Sequence, residues 1–68
     1  MIKIEIADFD AEHTQIRVFD HNGSEVLFCE IDLDPTDGWI YYGPEEEILC
    51  DTKEDAILEV VKHGLTLV

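Results

Sequence analysis

The stretch EIDLDPTDGW, residues 30–39, sets Glu30, Asp32, Asp34 and Asp37 close together with no lysine or arginine among them. Carboxylates at that density can hold a cation, trade protons with a substrate, or present negative charge to a basic partner. A second group, Glu45, Glu46 and Glu47, follows the aromatic run of Trp39, Tyr41 and Tyr42 in WIYYGPEEE. A third, DFDAEH, holds Asp8, Asp10, Glu12 and His13.

Cation binding is the first chemistry to weigh. DFDAEH opens like a calcium loop, with oxygens at every second residue, but such a loop needs glycine at its sixth position and glutamate at its twelfth. His13 and Phe19 stand there instead, and counting from Asp32 the twelfth residue is Gly43. At either place a weak cation site near Asp8–His13 or Asp32 ranks well below an ordinary solvated surface. Zinc fares no better. His13, His21 and His63 show no paired ligand spacing, and Cys29 and Cys50 are 21 positions apart. No metal and no cofactor are expected.

Catalysis is the second. Both cysteines sit in apolar strand-like surroundings, LFCEI and EILCD, whereas a nucleophilic thiolate needs an electropositive, exposed setting. They read as reduced, packed thiols. The hydroxyls of Thr14, Ser24, Thr36, Thr52 and Thr66 lack the strand–turn–helix context of a serine nucleophile. Paired carboxylates can hydrolyse a glycoside, but a chain of 68 residues leaves little room for a cleft that excludes water. The chain is not expected to be an enzyme.

Charge is the most informative property. Seventeen Asp and Glu against four Lys and Arg give a formal charge of −13. That surface repels phosphates and anionic lipid and attracts basic proteins, so direct nucleic-acid and membrane binding are not expected. The opening MIKIEIADFD lacks the basic and apolar regions of a secretory signal, and nothing approaches the roughly eighteen apolar residues of a membrane helix. A soluble, cytoplasmic protein is the expectation.

The pattern predicts a single α+β domain over residues 1–68, an antiparallel sheet of about four strands with one C-terminal helix on its apolar face. Strict alternation in IKIEI predicts a half-buried strand over about 2–7, with Ile2, Ile4 and Ile6 inward. TQIRVFD predicts a second over 14–20, and Asn22-Gly23 reads as a two-residue type I′ hairpin loop. That loop sets Val18 against Leu27 and Ile16 against Cys29, with the third strand over about 24–33. Leu27, Cys29, Ile31 and Leu33 then face the core, while Glu30 and Asp32 face away. Asp34-Pro35-Thr36-Asp37-Gly38 is turn chemistry. A fourth strand follows over 38–42, with Trp39 and Tyr41 on one face and Ile40 and Tyr42 on the other, and a short fifth at about 47–50. Thr52 with Asp55 resembles a capping box and opens a helix over about 53–63, stopped by Gly64, beyond which LTLV reads as a last short strand.

On a strand, Glu30, Asp32 and Asp34 alternate to one face about 6.8 Å apart. Duplex DNA carries one charge per ~3.4 Å of axis on each strand, so such a row can occupy lysine and arginine sites meant for phosphates. In size and charge the chain resembles the small acidic phage-type inhibitors that mimic DNA, among anti-CRISPR and anti-restriction proteins. The resemblance covers the whole chain and carries no motif. It implies a protein-binding inhibitor that occupies the basic nucleic-acid groove of a host defence or DNA-handling complex. The contact surface expected is Glu30, Asp32, Asp34 and Asp37 with Glu45, Glu46 and Glu47, flanking an aromatic anchor at Trp39. The alternative is a small assembly module, a homodimer joined through the sheet face bearing Phe19, Val26 and Phe28.

Overall fold

The computed structural model describes residues 2–43 and 46–68. Five strands run in chain order across one antiparallel sheet: β1 (Lys3–Asp8), β2 (His13–Phe19), β3 (Glu25–Asp34), β4 (Gly38–Tyr42) and β5 (Glu47–Cys50). The helix α1 (Lys53–Leu67) then packs on one face. The class is α+β as the alternation predicts, with the short fifth strand formed. Among the described residues no helix is long and apolar enough to cross a membrane.

The β2–β3 register is the expected one, Val18 opposite Leu27 and Ile16 opposite Cys29. The loop that sets it differs. Gly23 N donates to Asp20 O (3.0 Å) and Asp20 N to Ser24 O (2.9 Å), so His21, Asn22 and Gly23 form a three-residue loop. Only Gly23 there has positive φ, +85°, whereas a type I′ turn would need it at Asn22 as well. The Asp20 carboxylate decides the matter, accepting from Asn22 N and Ser24 N at 2.9 Å each. A register shift between Val18 and Phe19 absorbs the extra residue, so Phe19 pairs with Glu25.

Alternation then sorts the sheet into two faces. Ile16, Cys29, Ile31, Tyr41 and Cys50 turn toward the helix and meet Ala56 and Val60. Thr52 caps the helix by accepting from Asp55 N at 3.1 Å, and Leu58 on the far side stays exposed. The helix also runs past His63 to Leu67, with Gly64 inside it and buried. Residues 65–67 are therefore helical rather than a strand. Gly64 serves contact rather than termination: a Cβ there would lie 2.8 Å from Val18 Cγ2 and 3.0 Å from Cγ1.

The expectation for β1 fails in an instructive way. Ile4 and Ile6 pair with Val18 and Ile16 and so lie on the helix side of the sheet, yet they are 38% and 50% exposed. A helix is about 10 Å across and strands lie about 4.8 Å apart, so one helix cannot roof five strands. It rests on β3, β4 and β5, with less on β2.

Gly64→Ala should lower stability by about 1–3 kcal/mol through overpacking, against the ~1 kcal/mol that alanine usually gains inside a helix. For a domain of this size that is a fall in Tm of roughly 4–8 °C per kcal/mol. In a Val18→Ala background the same change should be neutral or stabilising, which thermal melts of the four chains would show.

Candidate functional site

The face without a helix carries the odd residues of β2 and the even residues of β3 and β4. Across its middle run the register pairs His13–Asp32 and Gln15–Glu30, Asp32–Ile40 and Ile40–Leu49, and Tyr42–Glu47. Ile40 is only 5% exposed although no helix covers it. Beside it Asp32 Oδ1 is buried and has no hydrogen-bond partner among the described residues.

Tyr42 is a half-exposed aromatic of this face, as is Phe28 farther along β3. The Tyr42 phenol is held above its ordinary pKa by desolvation first, then by the charges of Asp32, Glu47, Asp34 and Glu30. Glu47 lies directly across from Tyr42, and Glu30, Asp32 and Asp34 share its face along β3, with Asp34 at the far end opposite Gly38. The others go elsewhere. Asp37 lies exposed in the β3–β4 turn. Glu46 lines a cleft of about 360 Å³ with Tyr41, Glu59 and His63, beside the helix. Trp39 packs half-buried against the helix-side core, with Lys53 Nζ 5.8 Å from its ring centroid, so it faces away from Glu30 and Asp32. Glu45 lies outside the described residues.

His13 is the site residue that motif reading passes over. Its Nδ1 lies 2.9 Å from Asp10 Oδ1, and that hydrogen bond raises its pKa, with smaller help from the charges of Asp32 and Glu30. His13, Glu30 and Asp32 can each bring a ligand atom within 4.8 Å of the others. That spacing suits a small cation and equally the ammonium or guanidinium of a basic side chain. The signal was present in the sequence, since the register that sets Val18 against Leu27 also sets His13 against Asp32.

The acids differ in how they are held. Asp34 accepts from Thr36 N (2.8 Å) and Asp37 N (3.0 Å), and the Asp37 and Thr36 amides hold its pKa down. Its role is to close the turn. Glu30 is pushed the other way, first by the neighbouring Asp32 carboxylate and then by desolvation. A proton on Glu30 makes it a donor to the Asp32 carboxylate, which otherwise faces a like charge.

The four cations are committed elsewhere. Lys3 meets Glu5 at 3.0 Å, Arg17 meets Glu25 at 3.8 Å, Lys53 meets Asp8 at 2.8 Å and Lys62 meets Glu59 at 3.5 Å. Among the described residues no lysine or arginine bridges Glu30, Asp32, Asp34 or Glu47. Two of those cations also lie on the aromatics of the assembly alternative: Arg17 sits 4.6 Å above Phe28 and Lys3 5.9 Å from the Phe19 centroid. These aromatics lie toward β1 on the same open face, where Lys3 and Arg17 partly cover them.

The cysteines stay out of the site. Both are free and buried, and burial pushes the Cys29 thiol up to about 11. No protein-family model, curated protein or solved structure matches this chain.

Because folding raises the Glu30 pKa above its ordinary 4.5, its ionisation opposes folding. The stability tied to its proton is complete below that ordinary value and is lost as pH rises through the folded value. Glu30→Gln should therefore raise Tm at about pH 7 and lose its advantage near pH 4. Melts of both chains across that range check it, and an advantage unchanged by pH would assign the effect to packing.

Proposed function

We propose that the chain is a protein-binding inhibitor, cytoplasmic and without catalytic activity of its own. Its acidic open face takes the place of nucleic acid in a basic groove of a host defence or DNA-handling complex. The observation that carries this reading is that Glu30, Asp32 and Glu47 share one open face with Tyr42, with no lysine or arginine among the described residues bridged to any of the three acids. Carboxylates left without cations are the ones an incoming lysine or arginine can pair with. A half-exposed tyrosine among them offers a ring on which a guanidinium can stack. In this arrangement Tyr42 takes the anchoring part that the sequence suggested for Trp39.

The charges also fit the mode of attraction. A net charge of −13 raises the encounter rate with a basic groove and falls away with salt. Glu30, Asp32 and Asp34 lie along one strand, so they meet a groove as a row, in the way phosphates do. The resemblance to small phage-type DNA mimics supports the same reading by size and charge.

An arginine-rich peptide tests the surface before any partner is in hand. Binding should perturb the backbone resonances of Glu30, Asp32, Tyr42 and Glu47, and weaken steeply between about 0.05 and 0.3 M salt. Glu30→Lys with Glu47→Lys should weaken it at least roughly tenfold while Tm holds or rises. For a basic partner captured from host lysate, duplex DNA should displace the chain. Binding that ignored both salt and the double reversal would place the contact on an apolar surface.

A further inference from the structure

The two edges of the sheet are unlike. β5 is four residues long, Glu47–Cys50, and short edges resist further pairing. β1 runs six residues, KIEIAD, and every one of them is exposed. It carries no proline and, unlike the β2–β3 pair, shows no register shift against its neighbour. Ile2, Ile4 and Ile6 stand on its helix side at 38%, 38% and 50% exposure. Lys53, at the start of the helix, reaches the end of β1, where its Nζ bonds Asp8. A long apolar edge of this kind is a template for another strand.

The occupant follows from the charges on its other face. We infer that β1 pairs antiparallel with β1 of a second copy of this chain, about a two-fold axis at Ile4. In that register Lys3 of each copy lies opposite Glu5 of the other, Ile2 opposite Ile6, and Ile4 opposite Ile4. The alternatives fail on inspection. Centring on Lys3 or Glu5 sets like charges face to face, centring on Ile6 leaves both charges without a partner across the axis beyond their own 3.0 Å pair, and an odd slip sets isoleucines against charges. A charged edge usually deters pairing, but this one is complementary to itself. An isologous contact needs just that property.

The geometry keeps the acids apart. The axis stands perpendicular to the sheet, so both helices fall on one side and both open faces on the other. β3 and its counterpart are then five strand spacings apart, about 24 Å, well beyond the ~8 Å Debye length at physiological salt. The inference stands whether or not the open face binds a basic protein.

Sedimentation velocity on the full chain over a concentration series, at about 0.15 M salt, tests it. The wild type should dimerise. Lys3→Glu alone sets carboxylate against carboxylate across the axis, and Glu5→Lys alone sets ammonium against ammonium. Each should weaken self-association at least tenfold. Mixed together, the two variants should form a heterodimer, because every cross-axis contact then pairs like-charged strands of opposite sign, all-acidic against all-basic. The mixture also shows that neither variant failed merely by unfolding. In the wild type, amide exchange at the β1 edge should slow as concentration rises. A wild type that stays monomeric at millimolar concentration overturns the inference, as does a dimer that both variants leave unchanged or a mixture that gains nothing.

Discussion

The register of β3 against β2 is the constraint on which the rest of the molecule depends. With Val18 opposite Leu27, the apolar residues of both strands share a face and Gly64 can lie down on Val18. A slip of one residue would set Glu30 and Asp32 on the face of Ile16 and Val18 and break the apolar surface on which α1 rests. The same register fixes the opposite face, where His13 meets Asp32 and Gln15 meets Glu30. The core and the candidate site are thus two consequences of one pairing. The three-residue loop held by Asp20 and the shift at Val18/Phe19 are how the chain keeps that pairing while reversing direction.

Much of this was legible before any coordinates. Alternation located the first three strands and the aromatic run the fourth, the Thr52 cap opened the helix, and the β2–β3 register followed from asking which pairing sorts apolar from polar. The type I′ loop gives way to a local contact, the Asp20 carboxylate on Asn22 N and Ser24 N; the other misses depend on what lies beyond the local window. Gly64 reads as a helix stop because glycine commonly is one, whereas contact with Val18, forty-six positions earlier, requires it inside the helix. Ile4 and Ile6 read as buried because their alternation says so, but the width of a single helix decides whether anything covers them. Trp39 and Tyr42 were correctly placed on opposite faces. Which face would carry the acids' aromatic neighbour could be read only by carrying the β3–β4 register through to Glu30.

The acidic excess separates into two kinds of carboxylate. Asp8, Asp10, Asp20 and Asp34 are held by donors: Lys53 and Thr14 for the first, Glu12 N and His13 for the second, loop amides for the others. All four have pKa values below the ordinary range, so folding favours their charge. Their contribution is present above the ordinary aspartate range and is lost as pH falls through the lowered values. Glu30 moves the opposite way. A fold selected for stability alone has no reason to keep such a group beside Asp32, since a neutral side chain there removes the repulsion. Turn amides and, for Asp8, the Lys53 and Thr14 donors account for the first kind of acid and leave the second unexplained by the fold.

A five-stranded sheet with one helix has more surface than it can cover, and the chain divides that surplus by kind. On the open face it places carboxylates, which oppose contact with a second copy. On the helix side, past the reach of α1, it leaves isoleucines, which favour contact. Lys53 stands at the boundary, bonded to Asp8 at the end of β1 and near the ring of Trp39 on β4, and so ties the start of the helix across the sheet. Exposed ion pairs add little stability by themselves, and the value of this one is positional. It fixes where the roof ends, and therefore which apolar residues remain outside it.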